Sequence, residues 1–122
     1  MKNSIGELVG VLFLSREIAH REHLKTDSYA VHVALGNFYE EVVELADSLA
    51  EAYQGRTEER ISDIPYYSNP MKGNITITLK KLLKQVEDLR DGCCKDDTTI
   101  QNIIDEVVAL YLSTIYKLTF LK

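Results

Sequence analysis

The chain has 122 residues, 45% of them apolar, which is enough for one compact core and too few for two ordinary domains. Lys and Arg total 14 against 19 Asp and Glu, and the net charge of -5 argues against a dedicated nucleic-acid binder, which carries a basic face to neutralise phosphates. With 6 Gly, 2 Pro and no low-complexity tract, the composition also excludes a disordered chain.

Ser4-Ile5-Gly6-Glu7 has the form of a capping box. It opens a predicted helix on which Ile5, Leu8, Val9, Leu12 and Ile18 recur at three- and four-residue steps, ending near Leu24. The apolar run Leu8 to Leu14 is broken by Gly10, is too short to span a bilayer, and is followed by no small-residue cleavage site, so a cytoplasmic protein with no membrane partner is expected. A second helix is predicted from Ser28 to Tyr53, with Val31, Leu35, Phe38, Val42, Leu45, Ala46 and Leu49 on one side and Gly55 as its C-terminal cap. Gly36 inside it costs about 1 kcal/mol against alanine, which close backbone packing near a two-fold between chains would explain. Gly6 and Gly10, four apart, fit close approach of another helix and equally fit the ordinary tolerance of glycine near a helix start.

Residues 56 to 74 break the pattern with Pro65, Pro70, Asn69-Pro70 and Gly73-Asn74, and a loop of that length usually crosses the fold. A third helix, Ile75 to Arg90, carries Leu79, Leu82, Leu83, Val86 and Leu89, although Ile75-Thr76-Ile77-Thr78 alternates as a strand would. Asp91 to Asp96 reads as a tight connection. Thr98-Thr99-Ile100-Gln101 then repeats the capping-box form before a fourth helix bearing Ile100, Ile103, Ile104, Val107, Tyr111, Ile115 and Leu118. Short, long and short connections predict a single all-α domain over residues 1–122, a ferritin-like four-helix bundle with a long crossover between helices 2 and 3. The adjacent Cys93 and Cys94 complete neither a disulfide framework nor a zinc site, which points to a reducing compartment. Lys80, Lys81 and Lys84 form the one basic concentration and read as a solvated helix face.

All three histidines fall in residues 20 to 32. With the hairpin turn centred on Thr26, His20 and His32 lie at the same height on antiparallel helices, so their imidazoles are expected to converge, with His23 a more peripheral participant. Glu40, Glu44, Asp47 and Glu51 form an acidic stripe, and Asp47 and Glu51, one turn apart, can present two carboxylates to one ion. Imidazole with carboxylate suits iron and similar divalent metals. Asp47 lies about 22 Å along the helix axis from His32, too far for one chain to close the site. A second chain packed antiparallel about Glu40 and Glu41 would bring Asp47 and Glu51 to the other chain's His20 and His32, and reciprocity would give each dimer two sites.

The spacing of His20, His32, Asp47 and Glu51 resembles the inter-subunit ferroxidase motif of the Dps family of mini-ferritins, H-x11-H-x14-D-x3-E, and the Lys95-Asp96-Asp97-Thr98 start of the last helix is also similar. The resemblance implies a homo-oligomer, a two-fold dimer at least and possibly a dodecamer. It further implies that His20, His32, Asp47 and Glu51 bind two irons and act catalytically in oxidising Fe(II) with peroxide or oxygen, for iron detoxification or storage. Three departures weigh on DNA binding and cage assembly rather than on the metal site: Arg21 stands where the family has tryptophan, no Lys/Arg-rich stretch precedes Ser4, and the middle loop with Tyr66-Tyr67 does not keep the family's sequence. Glu17-Ile18-Ala19-His20 also matches the Glu-x-x-His of single-chain di-iron bundles, but Tyr29 stands where a second copy would need its acid. The competing expectation is a catalytically inactive ferritin-like helical protein acting in assembly or partner binding. Nucleophilic serine motifs, phosphate-binding loops and dinucleotide fingerprints do not occur.

Overall fold

In the computed structural model, which describes residues 3–68 and 73–121, the apolar periodicity becomes four helices: α1 (Ser4–Lys25), α2 (Tyr29–Thr57), α3 (Ile75–Cys94) and α4 (Thr98–Phe120). No strand occurs among the described residues, and Ile75-Thr76-Ile77-Thr78 is the first turn of α3. Asn74 decides that boundary, because its side chain accepts the amide of Ile77 at 2.9 Å and caps the helix. Pro70 and Asn69 lie outside the described residues. None of the helices described is long and apolar enough to cross a membrane.

The helix ends differ in detail from the sequence expectation. Asn3 rather than Ser4 caps α1, accepting from Gly6 N at 3.3 Å, and Asp97 rather than Thr98 caps α4, accepting from Ile100 N at 3.2 Å. Gly55 does not end α2. The helix continues to Thr57 and stops at Glu58, whose φ of 57° is left-handed and whose amide donates to the Gln54 carbonyl. The third helix passes Arg90 and reaches Cys94 because Gln101 of α4 donates to the carbonyls of Arg90 and Cys94 at 3.1 Å each, supplying partners that a free helix end lacks.

Each helix packs on two neighbours: α1 on α2 and α3, and α4 on α2 and α3. Gly92 near the end of α3 meets Ser4 at the start of α1, and Arg56 near the end of α2 pairs with Asp97 at the start of α4 at 2.7 Å. Helices α1 and α4 therefore run one way and α2 and α3 the other, so the connection between α2 and α3 spans the length of the bundle, as the crossover expectation requires; its residues 58–68 and 73–74 are described. The crossover lies against α1. Asn3 Nδ2 donates to the Asp63 carbonyl at 2.7 Å, a Cβ on Gly6 would collide with that same oxygen, and a Cβ on Gly10 would lie 2.9 Å from the Pro65 carbonyl. The two glycines thus admit the crossover chain, rather than admitting a neighbouring helix or merely being tolerated near a helix start.

The core runs along the bundle axis through Leu8, Leu12, Leu35, Phe38, Leu79, Leu82, Ile104 and Tyr111. Among the described residues, one buried side-chain hydrogen bond crosses it, joining α4 to α1. Tyr111 Oη donates to Ser15 Oγ at 2.6 Å, and Ser15 Oγ donates to the Val11 carbonyl at 2.9 Å, so neither hydroxyl is left unsatisfied. Burial pushes the Tyr111 phenol far above its ordinary range, only partly offset by the Ser15 bond, and it stays neutral at any working pH.

Candidate functional site

The hairpin between α1 and α2 gathers the three histidines, in a pairing different from the one the turn symmetry suggested. His32 meets His23, not His20. The two imidazoles stack with centroids 3.7 Å apart and planes 17° from parallel. His23 Nδ1–H donates to the His32 carbonyl at 2.5 Å, and His32 Nδ1–H donates to the His23 carbonyl at 2.8 Å. The clasp is reciprocal: each ring holds the other residue's backbone. A carbonyl only accepts, so both rings carry their proton on Nδ1, which in a neutral imidazole leaves Nε2 with its lone pair.

His20, one turn earlier on α1, stacks on Tyr39 of α2 at 4.2 Å and 12°. Tyr39 also presents its ring edge to His23 at 5.3 Å, and His20 and His23 centroids are 6.3 Å apart. Four rings thus close the hairpin. Tyr39 was missed in the sequence, yet its spacing is informative: His32, Gly36 and Tyr39 at i, i+4 and i+7 share the α2 face that meets α1. Gly36 supplies the room. A Cβ there would lie 3.0 Å from His23 Cε1 and 3.2 Å from Nδ1.

Opposite signs are expected for one substitution in two backgrounds. Gly36→Ala gains about 1 kcal/mol of helix propensity, but His23 is pinned by its stack and its hydrogen bond, so in the wild-type chain the clash prevails and the urea midpoint falls. In His23→Ala the obstacle is gone and Gly36→Ala should raise the midpoint. A midpoint that rises in both backgrounds would show that His23 yields freely.

The acidic stripe lies elsewhere. Glu40, Glu44, Asp47 and Glu51 are all exposed on α2, and none forms an ion pair among the described residues. Glu44 joins Glu41, Leu45 and Ser48 on one wall of a groove of about 690 Å³, faced by Glu106 and Leu110 of α4. Among the described residues of the single chain, no group of three or more His, Cys, Asp or Glu side chains is arranged to hold a metal ion. His20, His32, Asp47 and Glu51 are accordingly not brought together within one chain, as the 22 Å argument anticipated; their union would need a second one.

An exposed apolar stripe runs along α4. Leu112, Tyr116 and Phe120, four residues apart, are 53%, 55% and 67% exposed. They lie roughly 100–180° around the helix from Tyr111, a fully buried core residue. The rings of Tyr116 and Phe120 are 5.5 Å apart, and Leu121 beside them is also exposed.

Comparison with known proteins adds a family without a described activity. The model of the family of unknown function DUF5856 matches residues 23–118. The chain is 25% identical over 114 residues to an uncharacterized 14.6 kDa protein in the mobD-ri intergenic region of Enterobacteria phage T4, covering 93% of this chain and 86% of that protein. No solved structure matches.

Proposed function

The chain belongs to the DUF5856 family, and on that footing we propose that it works by assembly, pairing with a second copy through the outer face of α4. The exposed stripe of Leu112, Tyr116 and Phe120 carries this reading. A contiguous apolar face on a small acidic protein is a liability unless something covers it. Its spacing suits a two-fold, because an antiparallel pair centred between Leu112 and Tyr116 sets Leu112 of one chain on Tyr116 of the other and the reverse. Ala109, exposed one turn earlier, leaves room on the same face for the other chain's larger side chains.

The solution mass tests it. At high micromolar concentration the wild-type chain should have the mass of a dimer or a larger even oligomer. The double variant Leu112→Glu, Tyr116→Glu should fall to the mass of one chain with its helical signal intact, since neither side chain belongs to the core. A monomeric wild type, or a double variant of unchanged mass, would overturn the reading.

A second reading, oxidation of Fe(II) at an iron site between chains, is favoured by a separate observation. His32 keeps Nε2 uncommitted while its Nδ1–H is fixed to a carbonyl, an arrangement common in metal-ligating histidines, and Asp47 and Glu51 stand exposed and without ion pairs, available to another chain. In this reading His20 and His32 of one chain and Asp47 and Glu51 of the other hold the iron. Fe(II) should then be oxidised by peroxide or oxygen faster with protein than in buffer, and His32→Ala and Glu51→Ala should each remove the gain. Equal rates with and without protein would reject it, whatever the solution mass.

A further inference from the structure

Cys93 and Cys94 are the last residues of α3, and their sulfurs are joined to each other, a pairing the sequence reading did not expect. A bridge between sequence neighbours closes no stretch of chain, so it takes almost no freedom from the unfolded state and adds little stability by that route. The turn that follows is held by other groups. Gln101 Nε2 donates to the Arg90 and Cys94 carbonyls. Arg90 donates to Gln101 Oε1 at 2.8 Å and to Asp105 at 2.7 Å, and Arg56 fixes Asp97 at 2.7 Å. The bridge has no structural task that these contacts leave undone.

The sulfurs are also reachable. Both cysteines are half-buried. A cleft of about 620 Å³ opens on the pair, walled by Arg56, Lys95 and Thr99. A second, of about 410 Å³, reaches Cys93 from the side of Tyr53 and Arg60. Cys93 Sγ lies 3.5 Å from the Arg90 carbonyl, an acceptor in place for a thiol proton, whereas Cys94 lines the first cleft and has no such acceptor among the described hydrogen bonds.

We propose that Cys93 and Cys94 form a two-electron thiol–disulfide exchange site whose co-reactant is a small-molecule thiol. The thiolate of that molecule attacks Cys94 Sγ. The bond between the two cysteines breaks, its electron pair goes to Cys93, and Cys93 takes a proton and donates to the Arg90 carbonyl. A second small-molecule thiolate attacks the outer sulfur of the mixed disulfide, and Cys94 leaves as thiolate and is protonated. One protein disulfide and two thiols become one protein dithiol and one small disulfide, with two electrons moved to the protein. Reversal with an oxidised small disulfide restores the bridge.

The test uses the full chain equilibrated in buffers of reduced and oxidised glutathione, quenched with a maleimide and read by mass. The two thiols should appear together, at a ratio that follows the square of the reduced glutathione concentration. Cys93→Ser should accumulate a glutathione adduct on Cys94, and Cys94→Ser should carry about tenfold less. Oxidised and reduced wild type should melt within about a degree of each other, because the turn does not depend on the bridge. A pair that stays reduced in the most oxidising buffer, or thiols that react only after unfolding, would overturn the site. Equal adducts on the two serine variants would overturn the order of attack.

Discussion

Replacing Phe38 with alanine is expected to lower stability by about 3–5 kcal/mol. Phe38 is fully buried in α2, and its ring meets the Tyr111 ring edge-on with centroids 5.0 Å apart. The substitution removes transferred apolar surface and leaves a cavity beside the one polar crossing of the core. Helices cannot collapse into that space without moving Tyr111, whose hydroxyl is held by Ser15, so relaxation should recover little. A domain of this size has about 5–15 kcal/mol in all, and the variant should therefore unfold at a much lower urea concentration with unchanged slope. Phe38→Leu, which keeps most of the volume, should lose less than half as much. A loss below about 1 kcal/mol for alanine would mean that the centre of the bundle is loosely packed.

The fold was readable because its signals repeat. Leu79, Leu82, Leu83 and Val86 mark one face of α3 whatever lies around them, and four such faces with one long connection admit few arrangements. Helix ends rest on single residues and were read less well. Ser4 and Asn3 can both cap, and the choice falls to the residue at which the backbone leaves helical geometry, here Asn3, which also binds the Asp63 carbonyl from the crossover. Gly55 is a favourable stop in isolation, but α2 gains by continuing until Arg56 reaches Asp97 of α4. That contact joins residues 41 positions apart, and no local pattern contains it.

The histidine cluster illustrates the same division at the site. Counting from the turn put His20 opposite His32, but heights along two helices do not fix the angle at which each side chain leaves its axis. The face of α2 that meets α1 is set by Gly36, which removes a Cβ where His23 enters. In the sequence Gly36 suggested close backbone packing near a two-fold, whereas the structure fills the space with an imidazole of the same chain. The pairing of Asp47 and Glu51 with His20 and His32 is a question about a second chain, which intrachain periodicity does not address.

Gly6→Ala and Gly55→Ala should move stability in opposite directions, although both replace glycine in an α-helix with its strongest former. Gly55 has no atom within 4 Å of an added Cβ, so Gly55→Ala should gain up to about 1 kcal/mol, from propensity alone. At Gly6 the same Cβ would overlap the Asp63 carbonyl oxygen, which is backbone and cannot rotate away. Either α1 or the crossover must shift, and the bond from Asn3 Nδ2 to that oxygen goes with it. Overpacking of this kind costs about 1–3 kcal/mol, which outweighs the propensity gain. The urea midpoint of Gly6→Ala should fall, and a protease that cleaves exposed loops should cut between residues 58 and 68 faster than in wild type. The protease result separates a local cause from a global one: Phe38→Ala lowers stability without touching the crossover, so at matched stability only Gly6→Ala should show the added cleavage. If Gly6→Ala proved as stabilising as Gly55→Ala, the crossover would not lie against α1 in solution, and the long connection would be a tether rather than a packed part of the bundle.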